Sequence, residues 1–177
     1  MASSADRGER IALAVPPLDA TARRRAEDRG WNLRLLDPED IEERSLLIRL
    51  AHPELDEAIA QNREEVGVGG ETMNPRLHLS IHEVVAAQII GDDPPEAFAT
   101  AKRLVELRRD RHEVLHMLGS TVAEQIWSAT QSQGRYDPEA HVRALASLPD
   151  SWDRQIRGTD PHRRAGRTGR QRRRRRS

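Results

Sequence analysis

No cysteine occurs in the 177 residues, which removes disulfides, thiolate metal sites and cysteine nucleophiles together. A metal in this chain must therefore be held by His, Asp, Glu or water. Lys102 is the only lysine among 29 basic residues, so most lysine chemistry is excluded by absence. Aromatic residues make up 3% of the chain, which leaves little for stacking nucleic-acid bases, and no zinc finger or other recognition motif appears. No apolar run approaches the roughly 18 residues that span a bilayer. The first ten residues carry Asp6 and Glu9 and lead into too short an apolar stretch for a secretory signal. The expectation is a cytoplasmic protein.

What is present is charge, at 33% of residues against 36% hydrophobic, with a formal net charge of zero. That zero hides an asymmetry. Residues 154–177 hold eleven Arg and one Asp, a charge of +10 set against −10 for the 153 residues before them. The end of the chain has no apolar pattern with which to offset the entropy of ordering, so a disordered basic tail over 150–177 is expected. Arg163, Arg164, Arg167, Arg170, Arg172, Arg173, Arg174, Arg175 and Arg176 would attract any polyanion, nucleic acid included, through counterion release. A solubilising end, or contact with the acidic body, is the plainer role for the same residues.

Residues 1–36 are weakly patterned and broken by Pro16 and Pro17, so a poorly ordered N-terminal extension is expected there. From residue 37 to 149 the chain reads as one helical domain. Asp37-Pro38, Asn74-Pro75 and Asp137-Pro138 each pair a capping side chain with a proline suited to the first helical turn. His52-Pro53 restarts a helix after the stripe Ile41, Leu46, Leu47 and Leu50. Gly67, Gly69 and Gly70 mark a flexible connection, and Gly91 to Pro95 a break. Asp110 caps a further helix, with Glu113 placed for a capping box. No segment alternates convincingly as a strand does. The expected fold is all-α, a small bundle of about five helices with short connections.

Two histidine pairs stand out in that frame: His78 with His82, and His112 with His116. Residues four apart on a helix lie nearly above one another, so each pair presents two imidazoles on one face. Neutral imidazole suits zinc, copper, iron and nickel. Random placement of seven histidines gives two such pairs in roughly 2% of chains, so chance explains them poorly. Single histidines such as His52, His141 and His162 read as ordinary core or surface residues.

The second pair also spells His112-Glu113-Val114-Leu115-His116, the H-E-x-x-H pattern in which a metalloprotease places two zinc ligands and a general base. Gly119 fits the extended form of that pattern, but Val122 stands where its third histidine belongs. Glu124, two turns past His116 on the same helix, is badly placed to reach the same ion. The first pair supplies better partners. Four histidines on one ion make a closed, structural or regulatory site, whereas three with a water keep it reactive. Glu113 is then the candidate base, and Glu83 a candidate carboxylate behind the ligands. Each also reads as a solvated helix carboxylate.

The stretch from Asn74 to Glu83, the later Asp92-Asp93-Pro94-Pro95 and the segment Arg111 to His116 together resemble the bacterial family called domain of unknown function 1841, over roughly residues 37–148. In that resemblance an N-P-x-L-H-x-x-x-H segment is followed by an H-x-x-x-H helix, and the pattern falls on His78, His82, His112 and His116. It implies a small cytoplasmic bacterial protein in which those four act jointly. It implies no activity, substrate or cofactor.

The sequence thus points to a helical protein that binds a divalent transition metal, zinc or iron, through His78, His82, His112 and His116. A metal-dependent hydrolase using Glu113, and a nucleic-acid-associated protein acting through its tail, are the alternatives.

Overall fold

The computed structural model describes residues 4–68, 71–131 and 135–159. Nine helices lie among them: α1 (Ser4–Ala14), α2 (Ala20–Asp28), α3 (Ile41–Leu50), α4 (Pro53–Ala60), α5 (Pro75–Gly91), α6 (Pro95–Glu106), α7 (Arg111–Gln131), α8 (Pro138–Ala146) and α9 (Asp150–Thr159). A two-stranded antiparallel hairpin, β1 (Val66–Val68) and β2 (Glu71–Met73), joins α4 to α5, with Val66 opposite Met73. The fold is all-α apart from this hairpin.

Two of the three Asx-Pro signals act as expected. Asn74 accepts a hydrogen bond from the Leu77 N–H and Asp137 from the Ala140 N–H, each just ahead of a proline, which satisfies a donor that helical geometry leaves free. Asp110 accepts from both the His112 and Glu113 N–H groups at the start of α7. Asp37-Pro38 does not open α3; the chain turns once more and Asp40 caps the helix instead, accepting from Glu42 and Glu43.

α5 is the centre of the molecule, packed against α1, α3, α4, α6 and α7. Val85 and Ile89 of α5, Leu104 of α6, Leu115 and Leu118 of α7 and Leu145 of α8 are fully buried and make one continuous core. Burial of each such side chain is worth about 1.5–3 kcal/mol.

Two expectations need correction. Residues 4–28 hold two helices rather than a poorly ordered extension: α1 packs on α5, and Ala14, Ala22 and Ala26 are buried. Their buried side chains are alanines, too small to print an aliphatic stripe. The span 37–149 contains six helices, in keeping with the expected bundle of about five, and the short hairpin lies at the glycine connection. Finally, a helix, α9, occupies 150–159, where disorder was expected, and Trp152 packs against the core. The arginines from Arg163 to Arg176 lie outside the described residues. No helix among the described residues is long and apolar enough to cross a membrane.

Candidate metal centre

The two histidine pairs lie on the two helices whose packing organises the core. His78 and His82 stand one turn apart near the start of α5, and His112 and His116 one turn apart at the start of α7. α5 and α7 approach closely just beyond them. A Cβ on Gly119 would meet the Ile81 side chain at 2.9 Å, so the absence of a side chain at 119 is what lets the helices come this near. The glycine that fits an extended protease motif thus has a packing role.

His52 joins them from a third direction. It occupies the junction between α3 and α4, at the N-cap position of α4, and is 3% exposed. Its Nδ1 lies 2.8 Å from the Ile48 carbonyl oxygen. A carbonyl can only accept, so Nδ1 carries the proton, and Nε2 presents its lone pair to the other rings. That nitrogen lies 2.8 Å from Nε2 of His112, and Nε2 of His82 lies 3.1 Å from Nε2 of His78. Nε2 of His116 is buried without a hydrogen-bond partner. One ring nitrogen from each of His52, His82, His112 and His116 falls within 4.8 Å of all the others. His78 completes the group, its ring centre 5.1 Å from those of both His52 and His116.

The electrostatics follow from that crowding. Burial holds all five imidazoles below their ordinary pKa, and with the neighbouring rings it brings His52 to about 4 and His116 to about 3. His82 is depressed by burial and by the other four rings. His78 and His112 are lowered chiefly by burial, opposed at both by the Glu54 carboxylate. The rings are therefore neutral near neutral pH, the state in which imidazole ligates metal.

All four histidines singled out by spacing come together here, and His52 was missed. Its only local signal is the proline after it, because its partners lie 26 or more residues away. Glu54, exposed in the first turn of α4, was missed as well. Glu113 pairs with Arg109 at 3.5 Å, and Arg109 in turn contacts Asp153. Glu83 pairs with Arg44 at 3.2 Å, leaving its Oε1 buried without a partner. Val122 is in the core and Glu124 on the surface. His141 lies elsewhere, beside Gln88, with its Nε2 3.2 Å from the amide nitrogen. His162 is outside the described residues.

A family described as "Domain of unknown function (DUF1841)" matches residues 31–147. The chain belongs to this family. The stretch that matches DUF1841 runs from just before α3 to the end of α8, so it contains all five clustered histidines and leaves out α1, α2 and α9. Neither the curated proteins nor the solved structures offer a match to this DUF1841 member. Its chemistry therefore has to be read from the site.

Proposed function

We propose that this protein binds one divalent transition metal, zinc or iron, among the imidazoles of His52, His78, His82, His112 and His116. The observation that carries this reading is nitrogen facing nitrogen. His52 with His112 and His78 with His82 are each at hydrogen-bond distance, yet ring nitrogens from three stretches of chain converge within 4.8 Å and the buried Nε2 of His116 has no partner. A buried polar atom left unpaired costs about 1–3 kcal/mol. A cation supplies what these nitrogens lack. Four nitrogens at zinc–nitrogen distances of about 2.0–2.1 Å stand roughly 3.3 Å apart in a tetrahedron, which the spacings of 2.8 to 4.8 Å bracket. The His52 Nδ1–H bond to the Ile48 carbonyl is the arrangement that fixes the tautomer and orientation of a ligating imidazole.

The test is elemental analysis of protein purified without a histidine tag, beside a variant with all five clustered histidines changed to alanine. Near-stoichiometric zinc or iron in the first and none in the second is the expected result. Wild-type protein that takes up neither ion at micromolar free concentration would sink the reading.

A hydrolytic metal centre is the second reading, favoured by a surface cleft of about 230 Å³ that reaches His112. Glu54, an exposed carboxylate lining the adjoining cleft, is then a candidate base beside Glu113, which is paired with Arg109. Glu54→Gln and Glu113→Gln are each tested: the variant that abolishes turnover with metal retained identifies the base, and turnover unchanged in both would sink this second reading.

A further inference from the structure

The cleft beside His112 also restricts what can approach the cluster. Its walls are Pro17, Asp19 and Ala22 around the start of α2, the junction residues Leu50, Ala51 and Pro53, and Arg25 one turn along α2. It opens into a broader cleft of about 620 Å³, and Arg25, Leu50 and Pro53 line both. Three arginines border the broader space, and two are engaged. Arg49 donates to Asp56 at 2.7 Å, and the Arg29 guanidinium lies over the Trp31 ring, 5.2 Å from its centre. Arg25 has no hydrogen bond or ion pair among the described residues.

The acidic group in the inner cleft is also engaged, since Asp19 accepts from the Ala22 N–H at 2.7 Å. The inner cleft therefore combines an unpaired guanidinium with a ring of the cluster. The broader cleft differs, because Glu54, Asp56 and Glu57 line it. Their carboxylates disfavour an anion there, so the place for one is the inner cleft beside Arg25.

Taking the cluster as a metal centre, as proposed above, we infer that the inner cleft admits a small oxyanion, a phosphate or carboxylate group, which Arg25 holds beside His112. Guanidinium is suited to this because its planar fork donates two parallel hydrogen bonds to either group. The anion then lies between a fixed positive charge and the open side of the metal. α2 lies outside the stretch that matches DUF1841, so the family match does not extend to Arg25.

The experiment titrates the full-length protein with inorganic phosphate and, separately, with acetate, in zinc-loaded and metal-free forms. Calorimetry gives affinity, and the His112 ring resonances report the place of binding. Arg25→Gln is the test variant and Arg143→Gln, on α8, the control. Zinc-loaded wild type is expected to bind one of the anions with a shift at His112. Arg25→Gln should weaken this about tenfold, the loss of one charge-assisted hydrogen bond, with zinc content unchanged, while Arg143→Gln matches wild type. Tighter phosphate or tighter acetate names the class. Affinity equal in Arg25→Gln and wild type, or no binding of either anion, overturns the inference. The two readings fail separately: protein that retains no zinc sinks the metal centre, whereas anion binding to that metal-free protein, still weakened in Arg25→Gln, keeps the cleft.

Discussion

The core helices carry buried histidine in two places, and the two differ in kind. His141 on α8 is 1% exposed, and burial lowers its pKa. Beside it are one amide, from Gln88, and the apolar side chains Val84, Val122 and Ile126. In the cluster, five rings crowd together with centres 4.4 to 6.0 Å apart wherever they touch. Burial and a lowered pKa are common to both places, so neither distinguishes them. Convergence does: His141 has an amide partner, whereas the cluster sets ring nitrogens against each other from three separate stretches of chain.

The largest expected effect that separates the two places is acid sensitivity of the metal-free protein. An unfolded chain protonates its histidines below about 6.5, whereas the folded state holds His52 neutral down to about 4 and His116 to about 3. The unfolded state therefore binds more protons in that window, and stability falls as the pH drops from about 6.5 toward 4. His52 alone accounts for about 3 kcal/mol of the loss. Urea titrations at pH 7 and pH 4.5 check this. His52→Leu should flatten the dependence more than His141→Leu; equal flattening would mean that crowding among the rings adds nothing to burial.

Next in size is metal affinity. His52→Ala should weaken zinc binding at least about 100-fold, measured by competition with a chelator, while His141→Ala leaves it unchanged. At a zinc concentration 100 times the dissociation constant, wild type should gain about 2.7 kcal/mol of stability. A variant without His52 should gain almost none at that concentration.

A smaller effect tests the helix approach that assembles the cluster. Gly119→Ala forces a methyl against Ile81 at 2.9 Å, an overpacking that costs about 1–3 kcal/mol. Zinc affinity should fall with it, because separating α5 from α7 separates the histidine pairs. Ile81→Ala in the same chain should restore part of the affinity, which loss of helix propensity alone would not allow.

The smallest effect is at the other place. Changing Gln88 and His141 together to leucine removes both partners of one hydrogen bond and two unpaired atoms, Gln88 Oε1 and His141 Nδ1. Such paired replacement is nearly neutral, so stability should stay within about 1 kcal/mol of wild type in thermal melts.

What could be read from the sequence follows the range of each signal. Asn74-Pro75, Asp137-Pro138 and Asp110 are local devices, and they cap the helices assigned to them. The histidine pairs are visible because helical spacing is local too. α1 and α2 escaped notice because alanines fill their buried positions, and the strands because three residues are too few to show alternation. His52 could not be tied to the pairs. Its contacts depend on how α3 and α4 turn back against α5, which only tertiary packing decides. Glu54 is hidden for the same reason, an ordinary first-turn carboxylate until its neighbours are known.

The spread of the five histidines along the chain has one more consequence. His52 to His78 spans 26 residues and His82 to His112 spans 30, so anything bound to all three stretches closes two loops of similar length. Joining the ends of such loops is what a covalent bridge does in proteins that have cysteine, and the entropy involved grows only slowly with loop length. This chain has no cysteine. An ion among the imidazoles would serve it as a cross-link that chelation or acid can undo, tying the α3–α4 junction, α5 and α7 into one unit without a covalent bond.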